Sequence, residues 1–152
     1  VCGASYRQDV GDTRYSGSEL VVRKLTEMGA LVSVHDPYVQ NWDEFESQDD
    51  DAHGKKQFFR NQDNLSTLSI ESDLAKSLAG MDAVVLAVPH SEYLMLDPEE
   101  MVALVGKPFA VIDCFCILED DVIRRYIELG CEVKGLGRGH IKRIKDSVHK
   151  DN

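Results

Sequence analysis

No stretch of this sequence is apolar for long enough to cross a bilayer, which excludes a membrane-spanning helix. Positive charge is in short supply: 17 Lys and Arg stand against 27 Asp and Glu, a formal net charge of -10. Such a chain repels polyphosphate backbones at long range, so general nucleic-acid binding is not expected. Cysteine is sparse, at Cys2, Cys114, Cys116 and Cys131. In a cytosolic chain of this size these read as reduced thiols, and Cys-x-Cys without a His-rich partner segment is a poor zinc signature, so no metal site is expected. The first ten residues lack the basic start and apolar stretch of a secretory signal, which makes the cytoplasm the expected location.

What is present is the make-up of an ordinary folded domain. The length of 152 residues is that of one domain with a real core, and 43% hydrophobic against 29% charged residues is neither disordered nor fibrous. Gly and Pro punctuate short apolar runs that alternate with amphipathic stretches. This pattern predicts an α/β fold: a Rossmann-like, three-layer domain with a mostly parallel sheet of five to six strands. Val1 to Ala4 reads as the end of a buried strand. Ser16 and Glu19 form a capping box for a helix whose inner face is Leu20, Val21, Leu25 and Met28. Strands are expected at residues 31–35, 67–70, 81–88, 109–113 and 131–135, with helices at 72–78, where Leu74, Ala75 and Leu78 face inward, at 99–105, and at 119–129, whose inner face is Val122, Ile123, Tyr126 and Ile127. Residues 40–64 read as a long acidic, mobile loop, pinned to the domain by Trp42, Phe45, Phe58 and Phe59. The chain opens with Val1 rather than Met, and the expectation is of a piece of a longer protein.

In an open parallel sheet ligands bind beyond the carboxyl ends of the strands, which singles out the loops at 5–15, 36–38, 89–93 and 113–116. A dinucleotide-binding domain would carry G-x-G-x-x-G in the first. Here Gly3 and Gly11 stand too far apart, so the backbone cradle for a pyrophosphate is missing. Asp36 then reads as a surface turn acid rather than a ribose ligand. In place of the cradle, Arg7 and Arg14 flank Asp9 and Asp12. Two guanidinium forks suit a phosphate or carboxylate, and equally an internal Arg–Asp pair that stiffens the loop. Cys114 and Cys116 have no flanking base and are not assigned as nucleophiles. His90 reads either as lining the cleft or as a satisfied turn histidine. Gly135-Leu136-Gly137-Arg138-Gly139 imitates a phosphate loop, but with no long amphipathic helix evident after it, a flexible basic exit is expected.

Gly3-Ala4-Ser5-Tyr6-Arg7-Gln8-Asp9-Val10-Gly11-Asp12-Thr13-Arg14-Tyr15-Ser16 resembles the loop that opens the C-terminal domain of the UDP-glucose/GDP-mannose dehydrogenase family, where an aromatic-Lys pair precedes Asp-x-x-Asp-x-Arg-x-Ser. Three landmarks follow in order: Val34-His35-Asp36-Pro37, Asp82 to Leu86 ahead of His90-x-x-Tyr93, and Val111-Ile112-Asp113. The resemblance implies the nucleotide-sugar-binding domain of an NAD-dependent dehydrogenase that oxidises a sugar C6 alcohol to a carboxylate. It implies a separate N-terminal domain that holds most of the NAD and precedes the catalytic cysteine, so the chain alone would be inactive and no residue in it is assigned a catalytic role. Tyr6 and Arg7 would contact the UDP-sugar, Arg14 would reach NAD across the cleft, and Asp12 and Ser16 would hold the loop. Self-association into a homo-oligomer is a further expectation.

The sequence departs from the family pattern in three places. Arg7 replaces lysine, Gly17 stands where proline is common, and Asp113-Cys114-Phe115-Cys116 replaces Asp-Gly-Arg-Arg, whose second arginine touches the nucleotide sugar. The last change motivates the alternative of a free-standing nucleotide- or anion-binding module, regulatory in role, without the enzyme.

Overall fold

A computed structural model describes residues 1–42 and 68–151. Most of the acidic segment, with Phe45, Phe58, Phe59 and Thr67, lies outside these residues. The first helix, α1 (Gly17–Glu27), is followed by β1 (Val34–His35), β2 (Ile70–Glu71), α2 (Leu74–Leu78) and β3 (Ala83–Leu86). Then come α3 (Ser91–Leu94), α4 (Pro98–Val105), β4 (Ala110–Asp113), α5 (Asp120–Glu128), β5 (Glu132–Gly135) and α6 (Ile141–Asp151).

Every strand pairing is parallel. β1 pairs with β2, and β3, β4 and β5 form a three-stranded sheet in that order. Residues 1–4, expected as a strand, join the two sheets through one position: Cys2 bridges to His35 on one side and Leu86 on the other. Its amide donates to the Val85 carbonyl at 2.8 Å, and the Gly3 amide donates to the His35 carbonyl at 2.8 Å. The strand stops there because Gly3 takes φ +104°, and a side chain at that residue would lie 2.4 Å from Val88 Cβ. The parallel ladders, with helices between successive strands, give the α/β class expected. Five strands are named among the described residues, in a two-stranded and a three-stranded sheet.

Two apolar clusters form the core. The larger joins Val84, Leu86, Val111 and Val133 of the sheet to Met101, Ile123, Tyr126 and Val148 of the helices. The smaller sets Val22 of α1 against Ala4, Val34, Val39 and the buried Trp42.

Three local expectations are corrected. α1 buries Ser18, Val22 and Arg23, whereas Leu20 and Met28 are 60% and 73% exposed. An arginine can lie on the inner face because Glu19, one turn away, pairs with it at 2.7 Å and offsets its charge while the stem packs. That pairing takes the carboxylate away from the expected capping box; Ser16 still caps the helix, accepting from the Ser18 amide at 3.2 Å. In α2, Ser77 and Leu78 are buried and Ala75 faces out. The third correction is the largest. The basic tail is the eleven-residue helix α6, which inserts Ile141 and Val148 into the larger cluster; Ile141, Ile144 and Val148 recur at helical spacing among the lysines and arginines that dominate the segment.

Candidate functional site

The carboxyl ends of β1, β3 and β4 carry two buried aspartates, and each organises the loop beyond its strand. Asp36 is completely enclosed. Its Oδ2 accepts from the amides of Ala4 at 2.7 Å and Ser5 at 3.1 Å, and its Oδ1 from those of Tyr38 at 2.8 Å and Val39 at 3.1 Å. Burial acts to raise the Asp36 pKa, but these amides and His90 outweigh it and hold the carboxyl below its ordinary value. Asp36 is thus an internal anion tying the first loop to the β1 turn, not the surface turn acid expected from the sequence.

His90, also fully buried, completes the knot. The Asp9 amide donates to Nδ1 at 2.9 Å, so the proton sits on Nε2, which faces Asp36 Oδ2 at 3.0 Å and Ser5 Oγ at 3.0 Å. Ser5, His90 and Asp36 have the membership of a hydrolytic triad without its geometry. Serine and aspartate share one ring nitrogen, and Ser5 Oγ donates to the Arg7 carbonyl at 3.1 Å. The histidine is the satisfied turn residue, one of the two readings open from sequence. Tyr93 reinforces the same corner: its hydroxyl donates to the His35 carbonyl at 3.0 Å and accepts from His35 Nδ1 at 2.8 Å.

The first loop is clamped at further points. Asp9 adopts φ +55°, a costly conformation, held by Ser91: its amide donates to Asp9 Oδ1 at 2.9 Å and its hydroxyl to Oδ2 at 2.6 Å. These bonds hold the Asp9 carboxyl below its ordinary pKa. Gly11 lies against the next loop, where a Cβ would fall 2.6 Å from the Tyr38 carbonyl oxygen. Ser16 Oγ donates to the Ser5 carbonyl at 3.1 Å. Ser5 and Ser91 were not singled out in the sequence. Their one signal is position, a small hydroxyl directly beyond a strand or at a short helix start, where it can replace a backbone partner.

On this frame sit the three residues singled out for binding. Arg14 grips Asp12 through Nε at 2.9 Å and Nη2 at 2.6 Å, which holds the Asp12 pKa at about 2. The stiffening Arg–Asp pair therefore forms, although the Arg14 side chain is still 78% exposed. Tyr6 is 47% exposed, and the Arg7 guanidinium lies 5.8 Å from the centre of its ring. Arg7 has no carboxylate partner among the described residues. The loop thus presents one paired arginine and one arginine stacked on an aromatic face.

Asp113 plays the Asp36 part at the end of β4. Its Oδ1 accepts from the Phe115 and Ile117 amides at 3.1 and 3.0 Å, and its Oδ2 from the Leu118 amide at 3.1 Å. The loop it shapes exposes Cys116 at φ +57°. Cys114 is half-buried, and burial, with Asp113 alongside, raises its thiol pKa, the opposite of an activated nucleophile.

The parallel ladders and strand-end loops define an α/β domain whose first loop offers arginine and tyrosine where a dinucleotide fold offers glycine. The chain belongs to the UDP-glucose/GDP-mannose dehydrogenase family: the model of that family's UDP binding domain matches residues 1–120. It is similar to a UDP-glucose 6-dehydrogenase of Caenorhabditis elegans, 27% identical over 144 residues, which are 90% of this chain and 26% of the relative. Among solved structures it superposes on an NDP-N-acetyl-D-galactosaminuronic acid dehydrogenase of Methanosarcina mazei Go1 with TM-score 0.69 and 27% identity, over 93% of this chain and 25% of that one. A UDP-D-ManNAc dehydrogenase of Pyrococcus horikoshii shares the fold, with TM-score 0.64 and 22% identity over 91% of this chain and 25% of that one. The chain spans about a quarter of the length of these relatives.

Proposed function

We propose that this chain is the nucleotide-sugar-binding domain of a longer NAD-dependent dehydrogenase acting on a UDP-sugar. The observation that carries the reading is the state of the first loop. Asp36, His90 and Ser91 fix its backbone, Asp12 occupies Arg14, and Arg7 is left over Tyr6 with a guanidinium free for an anion. A fixed loop ending in an unpaired planar fork is what diphosphate binding requires, since little ordering is left to be done when the ligand arrives.

In this reading Tyr6 packs on the nucleotide sugar and Arg7 takes its phosphate charge. Arg14, oriented by Asp12, extends toward NAD held by a domain outside this chain, which would also supply the catalytic cysteine. Hydride acceptance would be supplied by NAD bound there; this chain's part is to bind and orient. Cytoplasmic location and self-association belong to the same reading.

Calorimetric titration with UDP-glucose tests it. Arg7→Ala removes a charge-assisted contact worth about 1.5–3 kcal/mol, and should weaken binding by about ten- to a hundredfold. The 152-residue chain with NAD and UDP-glucose should form no NADH. Cys116, where the family has arginine, favours the second reading, a nucleotide- or anion-binding module without the enzyme; that reading gains if Arg7→Ala leaves the UDP-glucose affinity unchanged.

A further inference from the structure

A groove of about 690 Å³ lies between α5 and α6, well along the chain from the first loop. In a molecule of net charge -10 its walls carry three arginines, Arg124, Arg138 and Arg143, with Asp120, His140 and Ser147 among the other lining groups. Arg143 and Ser147 lie one turn apart on α6, His140 immediately precedes that helix, and Arg124 stands one turn beyond Asp120 on α5. Two helices thus turn like charge toward one space.

The groups at the end of the groove are already matched. Arg138, its side chain 12% exposed, reaches Asp113 Oδ2 at 3.4 Å and Asp120 Oδ1 at 3.1 Å, and it also donates to the Leu118 carbonyl. His140 Nε2 meets the same Asp120 oxygen at 2.9 Å. Asp120 is therefore committed to Arg138 and His140. The side chains of Arg124 and Arg143 have no ion pair or hydrogen bond among the described residues, whereas Arg14, Arg23, Arg125 and Lys145 each have a carboxylate. Two unpaired five-donor forks on opposite walls, beside an arginine that internal acids lock in place, are arranged to close on an anion that carries several acceptor oxygens.

We propose that this groove is a second anion site, independent of the first loop, that takes the phosphate groups of a small phosphorylated ligand. Arg124 and Arg143 clamp the ligand from the two helices, and the Arg138–Asp113–Asp120–His140 network fixes the end of the groove. The volume exceeds that of a single phosphate, so a diphosphate or a phosphorylated metabolite suits it better than an isolated inorganic ion.

Titration of the 152-residue chain with inorganic pyrophosphate at low salt tests the assignment. The wild type should bind, the R124A/R143A double variant should lose at least about tenfold in affinity, and added salt should weaken what remains. Neither guanidinium has a partner among the described residues, so the double variant should keep the thermal midpoint of the wild type. Lys142→Ala, next in sequence to Arg143, should bind as the wild type does; an equal loss there would mean diffuse surface charge and overturn the proposal. No binding by the wild type, or full affinity in the double variant, would overturn it too. Arg7→Ala should keep pyrophosphate binding in the groove while losing UDP-glucose at the first loop, so the two sites fail separately.

Discussion

Asp36 and Asp113 decide how this domain presents its loops. Each is a carboxylate at the carboxyl end of a parallel strand, fully enclosed, and used to gather the amides of the turn beyond it. Replacing Asp36 with asparagine puts an NH2 group against amide donors and leaves buried hydrogens without acceptors, a cost of about 2–4 kcal/mol; chemical denaturation would read it directly. The pH dependence follows from the direction of two shifts. Burial lowers the His35 pKa below its ordinary 6.5, so the unfolded chain takes up this proton first and stability begins to fall as pH drops below about 6.5. Asp36 is held below its ordinary 3.8; its contribution is complete above that pH and is lost as pH falls through the lower, folded value. The unfolding midpoint should therefore decline in two stages, and Asp36→Asn should show a smaller second stage, to which Asp9 and Asp12 also contribute. Cys116 offers a prediction of gain. If the family arginine is what this site lacks, Cys116→Arg should tighten UDP-glucose binding by about tenfold in calorimetry, and unchanged affinity would mean that the site works without it. At this scale the sequence showed the charged residues, Arg7, Arg14 and Asp12, and left a stiffening Arg–Asp pair as one of two readings, but it did not show the long-range connections. Nothing local marks Asp36 as buried, because its donors at Ala4, Ser5 and His90 come from 31 to 54 residues away.

Among the elements, the continuous apolar runs were the most legible. The strand at 83–86 and its neighbour at 110–113 fall within the expected ranges because a parallel strand covered on both faces needs nothing but apolar side chains. α5 also matched: of the four residues expected on its inner face, Ile123, Tyr126 and Ile127 are buried and Val122 is partly so. The first strand was overextended because an apolar run says nothing about the φ that Gly3 must adopt. α1 was assigned the wrong inner face because burial of Arg23 depends on a salt bridge rather than on hydropathy. The helix at 141–151 was missed for a related reason: three apolar residues among many charges look like a tail until the sheet edge they cover is known. If that helix is part of the fold, Ile141→Ala should lower stability by about 2–4 kcal/mol. A urea titration decides it, because a loose exit would lose nothing measurable.

The whole molecule is acidic, yet its arginines are not spread evenly. Those that face acids brace the scaffold, while Arg7, Arg124 and Arg143 stand without such partners among the described residues. The proposed anion binding rests on that separation more than on the sheet itself, since function is argued from the site and not from the fold. The chain covers about a quarter of its relatives, and in the proposed function oxidation falls to parts outside it while binding is the role of this chain. Amide NMR spectra recorded during titration with UDP-glucose put that to the test most directly. The account predicts that the largest shifts fall at residues 5–15 and 113–116, centred on Tyr6 and Arg7. Shifts confined to residues 120–147, or none at all, would contradict it.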